Sequence, residues 1–276
     1  MVLDLKRSAE LARVELPGDF SFDAISDDGD ALYLLQHPST GSTAYNVRLY
    51  DLGKNLLEPG PIVDQKAAEP SAADLARGLM EGLYHSSIAS RDGGWYFSLY
   101  FHPKNGPFIH ALNLDARYAS CILDLPNVMT DRTVWAMALA PSGSLLYAVN
   151  GATGHIVAID ASTLRLTRQR QLSVNRVGGQ SERRRGALVF SPDGARLYAL
   201  GASGILVVNV ADLTLRAHYL TSESFDGLAV SHDGARLYGL SAGSGEVWQI
   251  EASTGRRLRA ISGFADPRTV LRVESD

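Results

Sequence analysis

The chain holds a single cysteine in 276 residues, Cys121, so no intrachain disulfide framework can form. Its setting, "YASCILDL", suits a buried structural thiol better than a reactive one. No run reaches the roughly eighteen apolar residues of a membrane-spanning helix. The opening "MVLDLKRSAELARVELPG" carries charges where a signal peptide needs its apolar centre. Neither sign of charge dominates: 26 Lys and Arg against 30 Asp and Glu give a net charge of -4 and a pI near 6.0. Such a balance supplies no global pull toward nucleic acid or anionic membrane, so binding of that kind would have to be local. The G-x-S-x-G elbow, H-E-x-x-H, C-x-x-C, P-loop and G-x-G-x-x-G motifs are all missing. Their absence removes the usual signatures of α/β hydrolases, zinc proteases, nucleotide hydrolases and dinucleotide enzymes, but leaves convergent sites untouched. No metal and no cofactor are expected.

What is present is repetition. "FSPDGARLYAL" at 190–200 returns as "VSHDGARLYGL" at 230–240. Three relatives share the same order of apolar run, tight turn and aromatic strand: "AISDDGDALYLL" at 24–35, "IASRDGGWYFSLY" at 88–100 and "ALAPSGSLLYAV" at 138–149. Each turn ends on a glycine, Gly29, Gly93, Gly143, Gly194 or Gly234, as a type I turn closing on a left-handed residue requires. Each copy therefore reads as a β-hairpin, at about 24–35, 88–100, 138–149, 189–200 and 229–240. A third strand ending in an acidic or amide residue follows each one: "NVRLYDL", "FIHALNL", "HIVAIDA", "ILVVNVA" and "EVWQIEA". A more polar fourth strand comes next, such as "LRAHYL" at 215–220. Four antiparallel strands in a unit of about forty to fifty residues are the blade of a β-propeller.

Over essentially its whole length the pattern resembles the WD40-like and YVTN-type β-propellers of bacteria. The Gly-His and Trp-Asp dipeptides of true WD40 repeats do not occur in register here. The stretch "GPFIHALNLDARYASCILDLP" at 106–126 is also similar to bacterial repeat proteins, a resemblance that implies an extracytoplasmic domain. The expected architecture is a single all-β propeller domain over 1–276, with six four-stranded blades. The closing blade would join residues 1–17 to 264–276, with "RTVLRVES" at 268–275 as its inner strand, so that paired termini blunt the open edges. A five-bladed ring with ragged ends is the alternative, and a longer protein with another blade is a third possibility. One departure from β structure is expected: "EPSAADLARGLMEGLYH" has a Ser71-x-x-Asp74 cap and leucines at 75, 79 and 83, which predicts a short helix near 71–83.

In an up-and-down blade, the first-to-second and third-to-fourth turns share one end of the sheet. The second-to-third loops and the crossings to the next blade share the other. Every long connection falls on the second end: 36–45, the helical insertion, 101–108 and 173–186. Repeat proteins place such insertions on the binding face. Counting back from the turn glycines puts Asp23, His85, Trp135, Arg185 and Asp226 at the starts of the inner strands, with Arg268 as the C-terminal counterpart. Together they would ring the mouth of a channel, as an anion site built on arginine forks or as a structural salt-bridge ring. Arg176, Arg183, Arg184 and Arg185 form the strongest basic cluster, and His102 lies in a loop on the same face, with His110 in the adjacent strand.

Two classes of function follow. The first is a non-catalytic recognition or scaffold module that binds a protein, a glycan or a small anionic ligand on the long-loop face, with nucleic acid disfavoured. The second is a propeller hydrolase or lactonase-like enzyme with its site at the channel mouth. It ranks lower because the resemblance implies metal ligands on inner strands, where Ala136, Ala187 and Gly227 stand.

Overall fold

The computed structural model describes residues 1–4, 6–62, 79–126, 134–174, 186–265 and 267. All regular elements among these residues are strands, and the fold is a β-propeller. β1 (Val2–Asp4) pairs with β2 (Ala9–Ala12) as a two-stranded sheet. The first full blade is β3 (Asp19–Ile25), β4 (Ala31–His37), β5 (Ala44–Asp51) and β6 (Leu56–Leu57), with β7 (Met80–Glu81) also paired to β5. The second is β8 (Leu83–Ala89), β9 (Trp95–His102), β10 (Gly106–Asn113) and β11 (Tyr118–Asp124). The third is β12 (Trp135–Leu139), β13 (Leu145–Asn150), β14 (His155–Asp160) and β15 (Leu166–Gln171). The fourth is β16 (Leu188–Phe190), β17 (Arg196–Leu200), β18 (Ile205–Asn209) and β19 (Thr214–Tyr219). The fifth is β20 (Gly227–Val230), β21 (Arg236–Ser241), β22 (Glu246–Glu251) and β23 (Arg257–Ile261). All five hairpins expected from the sequence are formed.

The chain divides into two compact units, residues 1–122 and 123–276. Of the expected closing blade, the described residues supply β1 and β2; the strand expected at 268–275 lies outside them. Most of the expected helix, residues 71–78, also lies outside. Its described end is a correction. Met80 and Glu81 are strand, paired with Tyr45 and Ala44, and Leu83 opens β8. Packing explains the extended backbone. Met80 lies against the core of the first unit, and a Cβ on Gly82 would come within 3.0 Å of the Phe108 ring, so this passage is threaded tightly between strands.

One side-chain bond recurs at the hairpin tips. Ser26 donates to Asp28 at 2.5 Å and accepts from the Ala31 amide at 2.9 Å, while the Gly29 amide closes the turn on the Ser26 carbonyl at 3.0 Å. The same hydroxyl-to-carboxylate bond joins Ser90 to Asp92, Ser191 to Asp193 and Ser231 to Asp233, each at 2.5 Å. These hydroxyl bonds, reinforced by backbone amides, hold the four carboxyls below the usual aspartate range. Within each unit the tips also touch in succession. A Cβ on Gly93 would lie 2.8 Å from Asp27, one on Gly234 2.9 Å from Pro192, and one on Gly194 3.4 Å from Pro141. A side chain at Gly93 or Gly234 would have to push the preceding tip aside, whereas at Gly194 it would meet Pro141 at contact distance.

The third strands are central and buried: β10 is buried at seven of its eight positions, and Ile205 to Val208 of β18 are buried throughout. Fully burying each such aliphatic side chain contributes about 1.5–3 kcal/mol. Fourth strands face solvent, as "LTRQRQ" of β15 does. Their long side chains still tie blades together, for Arg168 donates to the carbonyls of Val210 and Ala211 at 3.1 and 2.7 Å in the next blade. In the first three blades the acidic or amide residue ending the third strand, Asp51, Asn113 or Asp160, caps the turn that follows. Asp160, for example, accepts from the amides of Ser162 and Thr163 at 3.0 and 2.8 Å.

The third blade carries its own control for the Ser-Asp bond. Ala140 and Ser142 occupy the Ser and Asp positions, yet the Gly143 amide still bonds the Ala140 carbonyl at 2.8 Å. Backbone geometry therefore forms the turn and the side-chain pair reinforces it. Ser191→Ala should cost about 1–2 kcal/mol, since it removes one donor and one acceptor at a buried position. Ser142→Ala, at an exposed position, should stay within about 0.5 kcal/mol of wild type. Urea denaturation of the two variants checks this, and equal midpoints would contradict it.

Candidate functional site

Two of the expected site residues, Asp23 and His85, occupy the same special position. Pairing of β3 with β4 shifts register between Phe22 and Ala24, and pairing of β8 with β9 shifts between Tyr84 and Ser86. Asp23 and His85 are thus the extra residues of β-bulges in the inner strands of the first two blades. A bulge re-aims side chains. In β3 it turns Phe22 outward, 63% exposed, and drives Asp23 inward, 5% exposed. The His85 ring is half-buried, edge-on to Phe101 at 5.2 Å.

Asp23 is buried, and no described residue offers its Oδ1 a hydrogen bond. Burial, which disfavours the charged carboxylate, pushes its pKa up to about 7. The phenols of Tyr45, Tyr100 and Tyr96 all feel its charge, and burial raises the pKa of each of them. Tyr45 and Tyr100 stack at 5.0 Å, and neither hydroxyl meets hydrogen-bond geometry with a described partner. Around this group a chain of hydroxyls reaches the surface: exposed Tyr84 bonds Ser87 at 2.9 Å, which bonds Tyr96 at 2.6 Å.

A polar cleft of about 580 Å³ opens beside this group at the loop end of the first blade, lined by Gly18, Asp19, Gln36, His37, Ser39 and Asn46 among others. Its histidine is fixed. His37 Nδ1 lies 3.1 Å from the Ala44 carbonyl, which can only accept, so Nδ1 carries the proton. In the neutral ring Nε2 is then the basic nitrogen, and it sits 3.3 Å from the Ser21 hydroxyl. The His37 ring also leans on Tyr45, 6.4 Å between centroids, which links the cleft to the Asp23 group. Asn46 Oδ1, on the cleft wall, is buried without a described partner.

His102 is the equivalent residue of the second blade, the last position of β9 as His37 is of β4. The expectation of a loop histidine is corrected: His102 ends the strand, and His110 is buried in β10. Its chemistry is the reverse of that of His37. His102 Nδ1 accepts from the amides of Lys104 and Asn105 at 3.1 and 3.0 Å, leaving an Nε2–H directed at Glu81, 3.4 Å away. Both nitrogens are engaged, so His102 offers no free base. His37 was missed in the sequence although a signal existed, since His-Pro occurs at 37–38 and again at 102–103.

Of the remaining expected residues, two are described. Trp135 is fully buried at the start of β12, and Asp226 accepts from the Ala242 amide at 2.9 Å, fixing a loop in the fifth blade. Arg176, Arg183, Arg184, Arg185 and Arg268 lie outside the described residues. Among the described residues, no group of three or more His, Cys, Asp and Glu side chains is placed to hold a metal.

Solved structures similar to this chain are propellers. A candidate 6-phosphogluconolactonase of Bacteroides uniformis is 18% identical, with a TM-score of 0.50, over 87% of this chain and 84% of its own. The periplasmic gluconolactonase of Pseudomonas aeruginosa is 17% identical, with a TM-score of 0.52, over 88% of this chain and 72% of its own. The Cps50 (Swd1) β-propeller domain of Myceliophteria thermophila is 15% identical, with a TM-score of 0.52, over 95% of this chain and 78% of its own. No family model matches the sequence, and none of the curated proteins does. The propeller fold is thereby shown. The ranking of functions is corrected: the sequence put a non-catalytic scaffold first, and the lactonase names among these neighbours turn the preference to the hydrolase reading.

Asp23 makes stability depend on pH with a definite sign. Its folded pKa of about 7 stands above the unfolded value near 4, so the folded state holds the proton more tightly. Its contribution is fully present below about pH 4, is lost as pH rises toward 7, and is flat above. The loss is on the order of 3–4 kcal/mol. Asp23→Asn, which mimics the protonated form, should match wild type near pH 4 and be the more stable protein at pH 8. Paired urea titrations at the two pH values read this directly, and a constant difference would mean that Asp23 does not titrate in that window.

Proposed function

We propose that the chain hydrolyses a cyclic ester in the polar cleft of the first blade, a lactonase-type reaction with His37 as the general base. The observation that carries this reading is the His37 ring, whose Nδ1–H is committed to the Ala44 carbonyl while Nε2 stands basic at the cleft wall. A base that opens an ester must take a proton from the attacking hydroxyl and return it to the leaving oxygen. A histidine held in one tautomer by a backbone carbonyl is oriented for both transfers. The likeness of the fold to propellers named for lactonase activity supports the same reading.

The amides of Gln36 and Asn46 and the hydroxyls of Ser39 and Thr40 give the cleft groups that can hydrogen-bond a hydroxylated ring. Among the described lining residues Asp19 supplies the only carboxylate, and none is a lysine or arginine. Binding there would rest on neutral hydrogen bonds.

Purified protein offered a panel of five- and six-membered lactones should open at least one of them faster than buffer. His37→Gln keeps a polar side chain of similar reach but loses the base, and should lower kcat/KM by about 100- to 10,000-fold. His102→Gln should leave the rate near wild type. An absence of hydrolysis across the panel, or full activity in the His37 variant, would overturn the proposal.

A further inference from the structure

The Ser21–His37 pair stands between two clefts. His37 lines the polar one, Ser21 lines a second cleft of about 670 Å³, and Gly18 lines both. The second is apolar, walled by Val2, Leu3, Val14, Phe20, Phe22 and Leu34 of the N-terminal hairpin and the first blade. Part of that wall is open to solvent: Leu3 is 48% and Phe22 63% exposed. Ser21 itself is exposed, its hydroxyl 3.3 Å from the basic nitrogen of a histidine that the Ala44 carbonyl fixes from the other side. Nucleophile, base and an orienting acceptor on the base's second nitrogen are the three parts that activate a serine.

We propose that Ser21 is the nucleophile of a two-step ester hydrolysis and that the preferred substrate is amphipathic, with its polar head in the Asp19–Asn46 cleft and an alkyl chain in the apolar one. This rests on the hydrolase reading and deepens it. In the first step Ser21 Oγ bonds the acyl carbon and its proton passes to His37 Nε2. As the ester C–O bond breaks, His37 hands that proton to the departing oxygen, which in a lactone remains tethered as a hydroxyl of the acyl group. Water then attacks the acyl carbon, gives a proton to His37, and the proton returns to Ser21 Oγ as it leaves. The product is the hydroxy acid and the serine is regenerated.

The apolar cleft makes the choice of chain physical. Its walls remove methylene groups from water, each favourable by a constant increment, whereas the polar cleft has no use for them. An ester of short chain would leave that surface wet.

Alkyl fluorophosphonates of two and eight carbons, followed by peptide mass spectrometry, test the proposal without needing the natural substrate. The expected result is a covalent adduct on Ser21 in wild type, none in S21A, little in H37Q, and labelling about tenfold or more faster with the octyl reagent. Ser21 is exposed, so S21A should melt with wild type, and a melting curve confirms that loss of labelling is not loss of fold. No adduct at Ser21, or equal rates for the two chain lengths as in a cleft already filled, would overturn the inference. The two readings separate in the lactone assay. Lactone opening that persists in S21A keeps the hydrolase and removes the serine, whereas labelling of Ser21 without lactone opening does the opposite.

Discussion

Everything in this chain hangs on a turn that must close tightly enough for the next one to lie against it. The glycine at each tip adopts a left-handed φ, 74° at Gly93 and 71° at both Gly194 and Gly234, which ordinary side chains rarely enter. The same glycines leave room for Asp27, Pro141 or Pro192 of the preceding tip. A tip that serves both purposes fixes where each inner strand starts back. The second and third strands then fall in register, and their fully buried side chains fill the space between neighbouring sheets, with Tyr45, Tyr100 and Phe108 in one unit and Tyr147, Ile156 and Leu206 in the other. Between turns the fourth strands add a looser bond. Arg168 and Tyr219 reach carbonyls of the next blade's turn, so even exposed strands contribute to the order of the blades.

The candidate site lies where the repeat is irregular. The first blade carries three features together: a bulge that buries a carboxyl, Asp23, where the matching bulge of the second blade holds His85; a histidine at the end of the second strand in the tautomer opposite to that of its counterpart; and a cleft on each side of the Ser21–His37 pair. A buried carboxyl without a partner is costly, and it shifts its pKa instead of staying ionised. A chain selected only for stability would place an apolar residue there. The charge of Asp23 is felt by Tyr45, whose ring centroid stands 6.4 Å from that of His37.

The hairpins could be read from the sequence because their turn chemistry is local and repeated, from the tip glycine to the Ser-Asp pair beside it. The site could not be read in the same way. In "DFSFDAI" the alternation of Phe20, Phe22 and Ala24 places Asp23 on the opposite, solvent-facing side; one extra residue in the strand reverses this, and no spacing rule announces it. Distance from the turn glycine picks out Asp23 and His85, but their burial and exposure come from the bulges. His37 had a visible signal in the repeated His-Pro, yet only its hydrogen-bond partner, a backbone carbonyl brought in by the 38–43 loop, makes it the basic one of the pair. The helix expected near 71–83 shows the opposite failure: periodic leucines spoke for a helix, and strand pairing with Tyr45 took its described end.

The claim that the first blade holds the site is tested most directly by amide chemical-shift mapping with a lactam, the nitrogen analogue of a ring ester that resists hydrolysis. Saturating amounts should perturb Gly18, Asp19, His37, Ser39, Thr40 and Asn46 together, with the Ala44 carbonyl's neighbours following as His37 responds. The hairpin tips at Asp28, Asp193 and Asp233 should stay still. Shifts at those tips, or shifts confined to the third to fifth blades, would contradict a site in the first blade.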